Sequence, residues 1–253
     1  PLFSDEKGEA KIFAKEDCIV AGIKEAEKVF KKTGAKLKAK IKDGDFVKKN
    51  ETVAIISGPI KSILIGERLA LNFICKMSGI ATETNNLTQK CSKINPNVRI
   101  AATRKTTPGF RKYEKKAVEI GGGDPHRFGL FDAVLIKDNH LKKKIPISKT
   151  IKIIKEKTKN KIIEIEVENE KDAIEAAKND VDFIMLDNFS PDKGKKIAEK
   201  IRNIDPKIKI EVSGGITPKN ITEYCSYPDR ISLGYLTHSV KSMDFSLEII
   251  NFF

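Results

Sequence analysis

The chain has 253 residues, with 48 Lys and Arg against 35 Asp and Glu, a formal net charge of +13. Apolar residues at 40% suffice for a packed core, which excludes a disordered chain. No apolar run approaches the ~18 residues of a membrane helix, which excludes a chain that spans a bilayer in that way. The length suits one large α/β barrel or two modest domains. The charge admits nucleic acid, an anionic membrane surface or a polyanionic small substrate, so position must decide.

The first 60 residues predict a small α+β unit. Residues 10–20 are strand-like, and Ile23, Ala26, Val29 and Phe30 recur at helical spacing with Gly34 as a stop. Leu37, Ala39 and Ile41 alternate with Lys36, Lys38, Lys40 and Lys42, a strand with one wet face rather than a binding patch. Asp43-Gly44 is a hairpin signal, with 53–56 as the returning strand. Residues 62–91 are helical, with Ile65, Leu69, Phe73, Met77 and Ile80 on one stripe, assigned to core or subunit interface; Gly79 is expected to divide them into two helices.

From residue 98 a βα repeat sets in. Strand-like segments occupy 98–102, 133–136, 162–167, 183–186, 208–212 and 231–233, and helical stretches such as 170–178 and 193–201 lie between them. Such alternation implies a parallel sheet, here a barrel or part of one. The four cysteines, at 18, 75, 91 and 225, form no Cys-x-x-Cys pair, so reduced thiols are expected. No signal peptide is recognisable, and because the chain starts at Pro1 a processed or trimmed N-terminus is expected.

Each strand ends in residues that a fold alone does not require. The first runs into Thr103-Arg104-Lys105, the second into Lys137-Asp138-Asn139, and the third carries Glu164, Glu166 and Glu168 at period two, hence on one face. The fourth ends in Asp187-Asn188, the fifth in Ser213-Gly214-Gly215 and the sixth in Gly234. In parallel α/β barrels the active site lies at these C-terminal strand ends. Arg104, Lys105, Arg127 and Lys137 with His126 supply cations for carboxylate or phosphate; the competing reading is a set of salt bridges to nearby carboxylates. Gly121-Gly122-Gly123 exceeds what a helix cap needs and would turn residues 124–127 into the barrel mouth. Ser213-Gly214-Gly215, with a helix starting near Pro218 and Gly234 on the next strand, is an anion-nest candidate. Glu166 and Asp187 either hold Mg²⁺ or ribose hydroxyls, or neutralise Arg104 and Lys137. His140 and His238 are read as structural, and Lys142-Lys143-Lys144 as a solvated loop.

Several motifs together resemble quinolinate phosphoribosyltransferase, a type II phosphoribosyltransferase. They are residues 103–109 (TRKTTPG), Gly121-Gly122-Gly123 with His126-Arg127, and residues 132–140 (DAVLIKDNH), supported by 67–72, 78–82, 166–168, 186–188 and 211–216. The resemblance covers nearly the whole chain in order. It implies an α/β fold in which an N-terminal α/β open-sandwich domain (residues 1–78, with 240–253 packing back on it) joins an incomplete (β/α) TIM-like barrel (79–239). It implies transfer of a phosphoribosyl group from phosphoribosyl pyrophosphate to quinolinate with loss of CO₂, Mg²⁺ as cofactor, and a homodimer or dimer-based hexamer. The cytoplasmic location is expected from the few cysteines and the lack of a recognisable secretory signal. Nucleic acid and membrane are not among the implied partners. The resemblance assigns quinolinate binding to Arg68 (donated to the neighbouring subunit's site), Arg104, His126, Arg127 and Lys137. It assigns phosphate binding to Lys105, Ser213, Gly214, Gly215 and Gly234, and catalysis to Lys105, Lys137, Glu166 and Asp187, the last two beside the metal. There are two departures: an acidic, Gly-containing segment usual before the position of Pro1 is absent, and Pro125 stands where most members have Asn. Proline there resembles a molybdenum-transport-associated paralogue acting on another base. A Schiff-base lyase using Lys137 and a nucleic-acid-binding protein are the rival classes.

Overall fold

Helix α1 (Ile23–Thr33) ends where expected: Gly34 takes a left-handed φ of +93°, and its N–H turns back to the carbonyls of Phe30 and Lys31. The computed structural model describes residues 6–137, 145–158 and 161–253. The expected Asp138, Asn139, His140 and Lys142–Lys144 lie outside these residues. The chain forms two compact units, one of residues 1–86, 107–123 and 236–253, the other of 87–106 and 124–235.

In the first unit β1 (Lys7–Ala14) alternates buried and wetter positions, the period-two pattern of a strand with one face on a core. The strand expected over 10–20 is broken: β2 (Cys18–Ile19) is a separate two-residue strand, and Asp17 accepts from the Lys49 amide at the turn. The Lys-rich strand β3 (Lys36–Ala39) buries Leu37 and leaves Lys36 and Lys38 in water. Asp43-Gly44 does not close a hairpin between β3 and its partner. The short β4 (Phe46–Val47) intervenes and pairs with β2, and β5 (Thr52–Pro59) then returns along β3. Asp43 is otherwise engaged, because its carboxylate accepts from the Ile23 amide at the start of α1. The four-stranded sheet is completed by the C-terminal β12 (Phe245–Phe252), antiparallel to β1, giving the order β12-β1-β5-β3.

Helix α2 (Ile60–Ser92) runs undivided for 33 residues. The break expected at Gly79 does not occur; the glycine serves close packing, since a Cβ there would lie 2.3 Å from the Lys241 carbonyl oxygen. The apolar stripe on α2 changes character along its length. Met77 and Ile80 are buried, whereas Ile65 and Leu69 are exposed, at 62% and 53%.

The second unit contains all six expected strands: β6 (Arg99–Ala101), β7 (Val134–Ile136), β8 (Ile163–Val167), β9 (Phe183–Asp187), β10 (Lys209–Ser213) and β11 (Arg230–Ser232). They form one parallel sheet in the order β6-β11-β10-β9-β8-β7. Helix α3 (Arg111–Ile120) belongs to the first unit. Helices α4 (Ile147–Lys157), α5 (Glu170–Ala177) and α6 (Pro191–Ile204) follow β7, β8 and β9, and the four-residue α7 (Ile221–Tyr224) and α8 (Tyr235–His238) follow β10 and β11. This is the α/β barrel pattern, with β6 and β7 at the ends of the sheet as described. The expectation of reduced thiols holds for Cys18 and Cys75 only; Cys91 and Cys225 are joined in a disulfide, 134 residues apart in sequence.

Candidate active site

Along β8 the buried Ile163, Ile165 and Val167 alternate with Glu164 and Glu166, so the two carboxylates share the other face. The same alternation on β10 sets Glu211 and Ser213 on one face, and on β9 it sets Met185 and Asp187. Register then aligns them: Glu166 with Met185, Met185 with Glu211, Asp187 with Ser213, and Glu211 with Arg230. Glu166, Met185, Asp187, Glu211 and Ser213 meet around a cavity of about 340 Å³ at the C-terminal strand ends of the second unit.

Every strand of the sheet contributes to that cavity. Thr103, Arg104 and Lys105 follow β6, Lys137 follows β7, Glu166 and Asp187 come from β8 and β9, Glu211 and Ser213 from β10, and Ser232 from β11. His126 and Arg127 arrive on a strap. Gly121 caps α3, Gly122 turns at φ +85°, and Asp124 then pairs with β6 through its N–H to Ile100 and its carbonyl to Ala102. Four permanent cations (Arg104, Lys105, Arg127 and Lys137) thus line one space with three carboxylates (Glu166, Asp187 and Glu211).

Lys137 Nζ donates to Glu166 Oε2 at 2.5 Å. Burial and then the charge of Glu166 push the Asp187 carboxyl above the usual carboxylate range, against the pull of Lys137 and Lys105. Burial and the neighbouring Arg104 charge lower Arg127, so its guanidinium is primed to gain from an arriving anion. Two half-buried carboxylates, one of them disfavoured as an anion by the other, are hard oxygen donors that suit a divalent cation such as Mg²⁺ bound together with phosphate.

Two lining residues, His126 and Glu211, belong to a buried cluster of which the sequence reading singled out only His126 and Glu164. Glu211 is fully buried, and its Oε2 accepts from Arg230 Nε and faces His126 Nε2 at 3.2 Å. Arg230 also reaches both Glu164 oxygens at 3.4 Å and Asp124 at 3.5 Å, with its guanidinium over the Phe183 ring. Burial would raise the Glu211 carboxyl, but the His126 hydrogen bond and the Arg230 charge outweigh it and hold it below the usual range. Glu164 goes the other way, raised by burial and by Glu211. His126, Glu164 and Glu211 place potential ligand atoms within 4.8 Å of one another, but Arg230 already supplies their cation. The available signal was the period-two spacing on β8 and β10; Arg230, at the first residue of a strand, offered none.

Arg104, Lys105, His126, Arg127, Lys137, Glu166, Asp187 and Ser213 therefore come together as cavity lining. Gly214 and Gly215 follow Ser213 with φ of +88° and +61°, the left-handed turn an anion nest uses, but are not in the lining, and neither is Gly234. The helix expected near Pro218 begins later, at Ile221, after a turn closed by Thr217 N–H to Asn220. Glu168 lies past the end of β8 and is exposed. Arg68 is exposed on α2 in the first unit.

Comparison with known proteins agrees over the whole length. Residues 2–78 match the quinolinate phosphoribosyl transferase N-terminal domain and residues 80–248 its C-terminal domain. The chain is 42% identical over 245 residues to a probable nicotinate-nucleotide pyrophosphorylase [carboxylating] of Archaeoglobus fulgidus, covering 96% of this chain and 94% of the relative. It is 45% identical over 255 residues to the protein of that description from Methanocaldococcus jannaschii, covering 97% and 88%. The solved nicotinate-nucleotide pyrophosphorylase from Francisella tularensis superposes with a TM-score of 0.93 at 35% identity, covering 98% of this chain and 88% of that one. The chain belongs to the quinolinate phosphoribosyl transferase family.

Proposed function

We propose that the protein transfers the phosphoribosyl group of phosphoribosyl pyrophosphate to quinolinate with decarboxylation. The products are nicotinate mononucleotide, CO₂ and pyrophosphate, a step of de novo NAD biosynthesis carried out in the cytoplasm. The observation that carries this is one cavity with Arg104, Arg127 and Lys137 for a dicarboxylate, and Glu166, Asp187 and Ser213 beside a glycine turn for the sugar phosphates.

The charges suggest the mechanism. Quinolinate enters as a dianion and is oriented by guanidinium forks, which bind carboxylates at two points. Departure of pyrophosphate leaves positive charge on the ribose, and Glu166 or Asp187 stabilises it. The pyridine nitrogen forms the new bond to the sugar carbon as the bond to pyrophosphate breaks. The bond to the adjacent carboxyl group then breaks, the electron pair passes into the pyridinium ring, and that carbon takes up a proton. Glu166 and Asp187 are the residues that would hold Mg²⁺, and the ion would supply charge neutralisation for the pyrophosphate. The protein's own contribution is orientation and charge neutralisation, with Lys105 on the phosphate side.

The active form is proposed to be a homodimer, or a hexamer built from dimers, with Arg68 reaching the neighbouring site. The exposed Leu64, Ile65 and Leu69 around Arg68 on α2 are the apolar face such a contact would cover. Lys137 is engaged as an ion-pair donor to Glu166, which argues against its use as a free Schiff-base amine.

The test is product formation from phosphoribosyl pyrophosphate and Mg²⁺ with quinolinate, nicotinate being the parallel substrate. Nicotinate mononucleotide and CO₂ in equal amounts from quinolinate, and none from nicotinate, is the expected result. Folded protein that turns over neither would overturn the proposal. Arg104→Ala should raise the quinolinate KM or abolish turnover without changing the fold.

A further inference from the structure

His126 has no ring nitrogen left to offer a substrate. Its Nδ1 accepts from the Arg127 backbone N–H at 2.7 Å, and its Nε2 faces Glu211 at 3.2 Å and Glu164 at 3.5 Å. An Nδ1 that accepts carries no hydrogen, so the neutral ring holds its proton on Nε2 and donates it to Glu211. The backbone of His126 is pinned as well. Its φ is +55°, a left-handed conformation uncommon outside glycine, and its N–H donates to Asp124 Oδ1 at 2.7 Å. Asp124 Oδ2 and Glu211 Oε2 are in turn both partners of Arg230.

We infer that Arg230 and Glu211 are positioning residues for the dicarboxylate end of the site. They act through the ring of His126, which aligns the backbone, and hence the guanidinium, of Arg127. This rests on the proposed reading that Arg127 meets the substrate carboxylates. The chain of contacts is continuous: Arg230 to Glu211, Glu211 to His126 Nε2, and His126 Nδ1 to the Arg127 amide. A second branch, from Arg230 through Asp124 to the His126 amide, holds the same strap. Phe183 beneath the Arg230 guanidinium fixes the plane of its fork. Buried pairs of this kind contribute little net stability when intact, but they specify geometry, which is what a two-point carboxylate clamp requires.

Two measurements test the relay, and one needs no turnover. The chain has three histidines, at 126, 140 and 238, so ring ¹⁵N signals of the wild-type protein can be assigned with His140→Gln and His238→Gln variants. Where imidazole is neutral, His126 should appear as the Nε2–H tautomer; an Nδ1–H tautomer overturns the relay. The second is steady-state kinetics of Glu211→Gln and Arg230→Lys. The quinolinate KM should rise about tenfold or more, the loss of one charge-assisted bond, while the phosphoribosyl pyrophosphate KM stays within about twofold. Glu211→Asp should recover part of the loss. Equal rises in both KM values would mean a merely structural role and overturn the inference. Should Glu211→Gln fail to fold, the wild-type tautomer and the Arg230→Lys kinetics still decide. Wild-type protein inactive on quinolinate would sink the functional reading, while the tautomer would still judge the relay.

Discussion

Lys137 and Glu166 form an ion pair at 2.5 Å that joins the end of β7 to β8 and ties the cationic side of the cavity to its carboxylate side. Each neutralises the other until substrate arrives, when both are expected to change partner. Lys137→Ala should lower kcat/KM for quinolinate by about ten- to a hundredfold, the scale of one charge-assisted hydrogen bond. Glu166→Gln should act mainly on kcat. Because the residues share a contact, the double variant should lose less than the sum of the two; strict additivity in a double-mutant cycle would separate their roles.

Gly214 is placed where no other residue fits. Its φ is +88°, and a Cβ would lie 2.3 Å from Asn188 Oδ1. Gly214→Ala should distort the turn after Ser213 at a cost of about 1–3 kcal/mol. The phosphoribosyl pyrophosphate KM should rise about tenfold, with little change in quinolinate KM. Initial-rate kinetics with each substrate varied in turn would show which end of the site responds.

Glu211 makes stability depend on pH with a defined sign. Its carboxyl is held below its ordinary value of 4.5 in the folded chain. The contribution of the ionised group is therefore fully present above that value and is lost as the pH falls through the lower folded one. Glu211→Gln leaves Arg230 short of its closest counter-charge, and should cost about 3–5 kcal/mol near neutrality. The gap between wild type and variant should narrow below pH 4.5. Urea denaturation at pH 7 and pH 4 would measure it, and a gap that widened in acid would reverse the assignment.

Gly79 inverts a familiar rule. Gly→Ala in the middle of a helix ordinarily stabilises by about 0.5–1 kcal/mol. Here the new methyl would meet the Lys241 carbonyl oxygen at 2.3 Å, so Gly79→Ala should destabilise, by about 1–3 kcal/mol, through overpacking. Thermal unfolding should show a lower Tm for the variant.

What could be read from the sequence was what is local. The six strands of the second unit were visible because short runs of Ile, Val and Leu bounded by polar residues carry their own signal, and the cavity residues were visible because they sit where such strands end. The undivided α2 was not visible, since the partner that makes Gly79 necessary is 162 residues away along the chain. Cys91 and Cys225 were missed for the same reason. The Arg230–Glu211–His126 cluster joins three separate segments, and only His126 stands out within its own. Asp43-Gly44 had the residues of a tight hairpin, and the strand partner it suggested, 53–56, does lie along β3, but the connection is longer because β4 intervenes and pairs with β2.

The strand orders bear on how the chain is made. In the second unit β7 to β11 are laid down as neighbours in sequence, but β6, synthesised before all of them, has β11 as its strand partner in the sheet. In the first unit β1 has β12 as its outer partner. Neither sheet is finished until β11 and β12 have been made, so β1 and β6 each wait through much of synthesis with an unpaired edge. A chain released before Phe245 lacks all of β12 and leaves that edge of β1 open to other chains, so such fragments are expected to aggregate rather than persist as truncated enzyme.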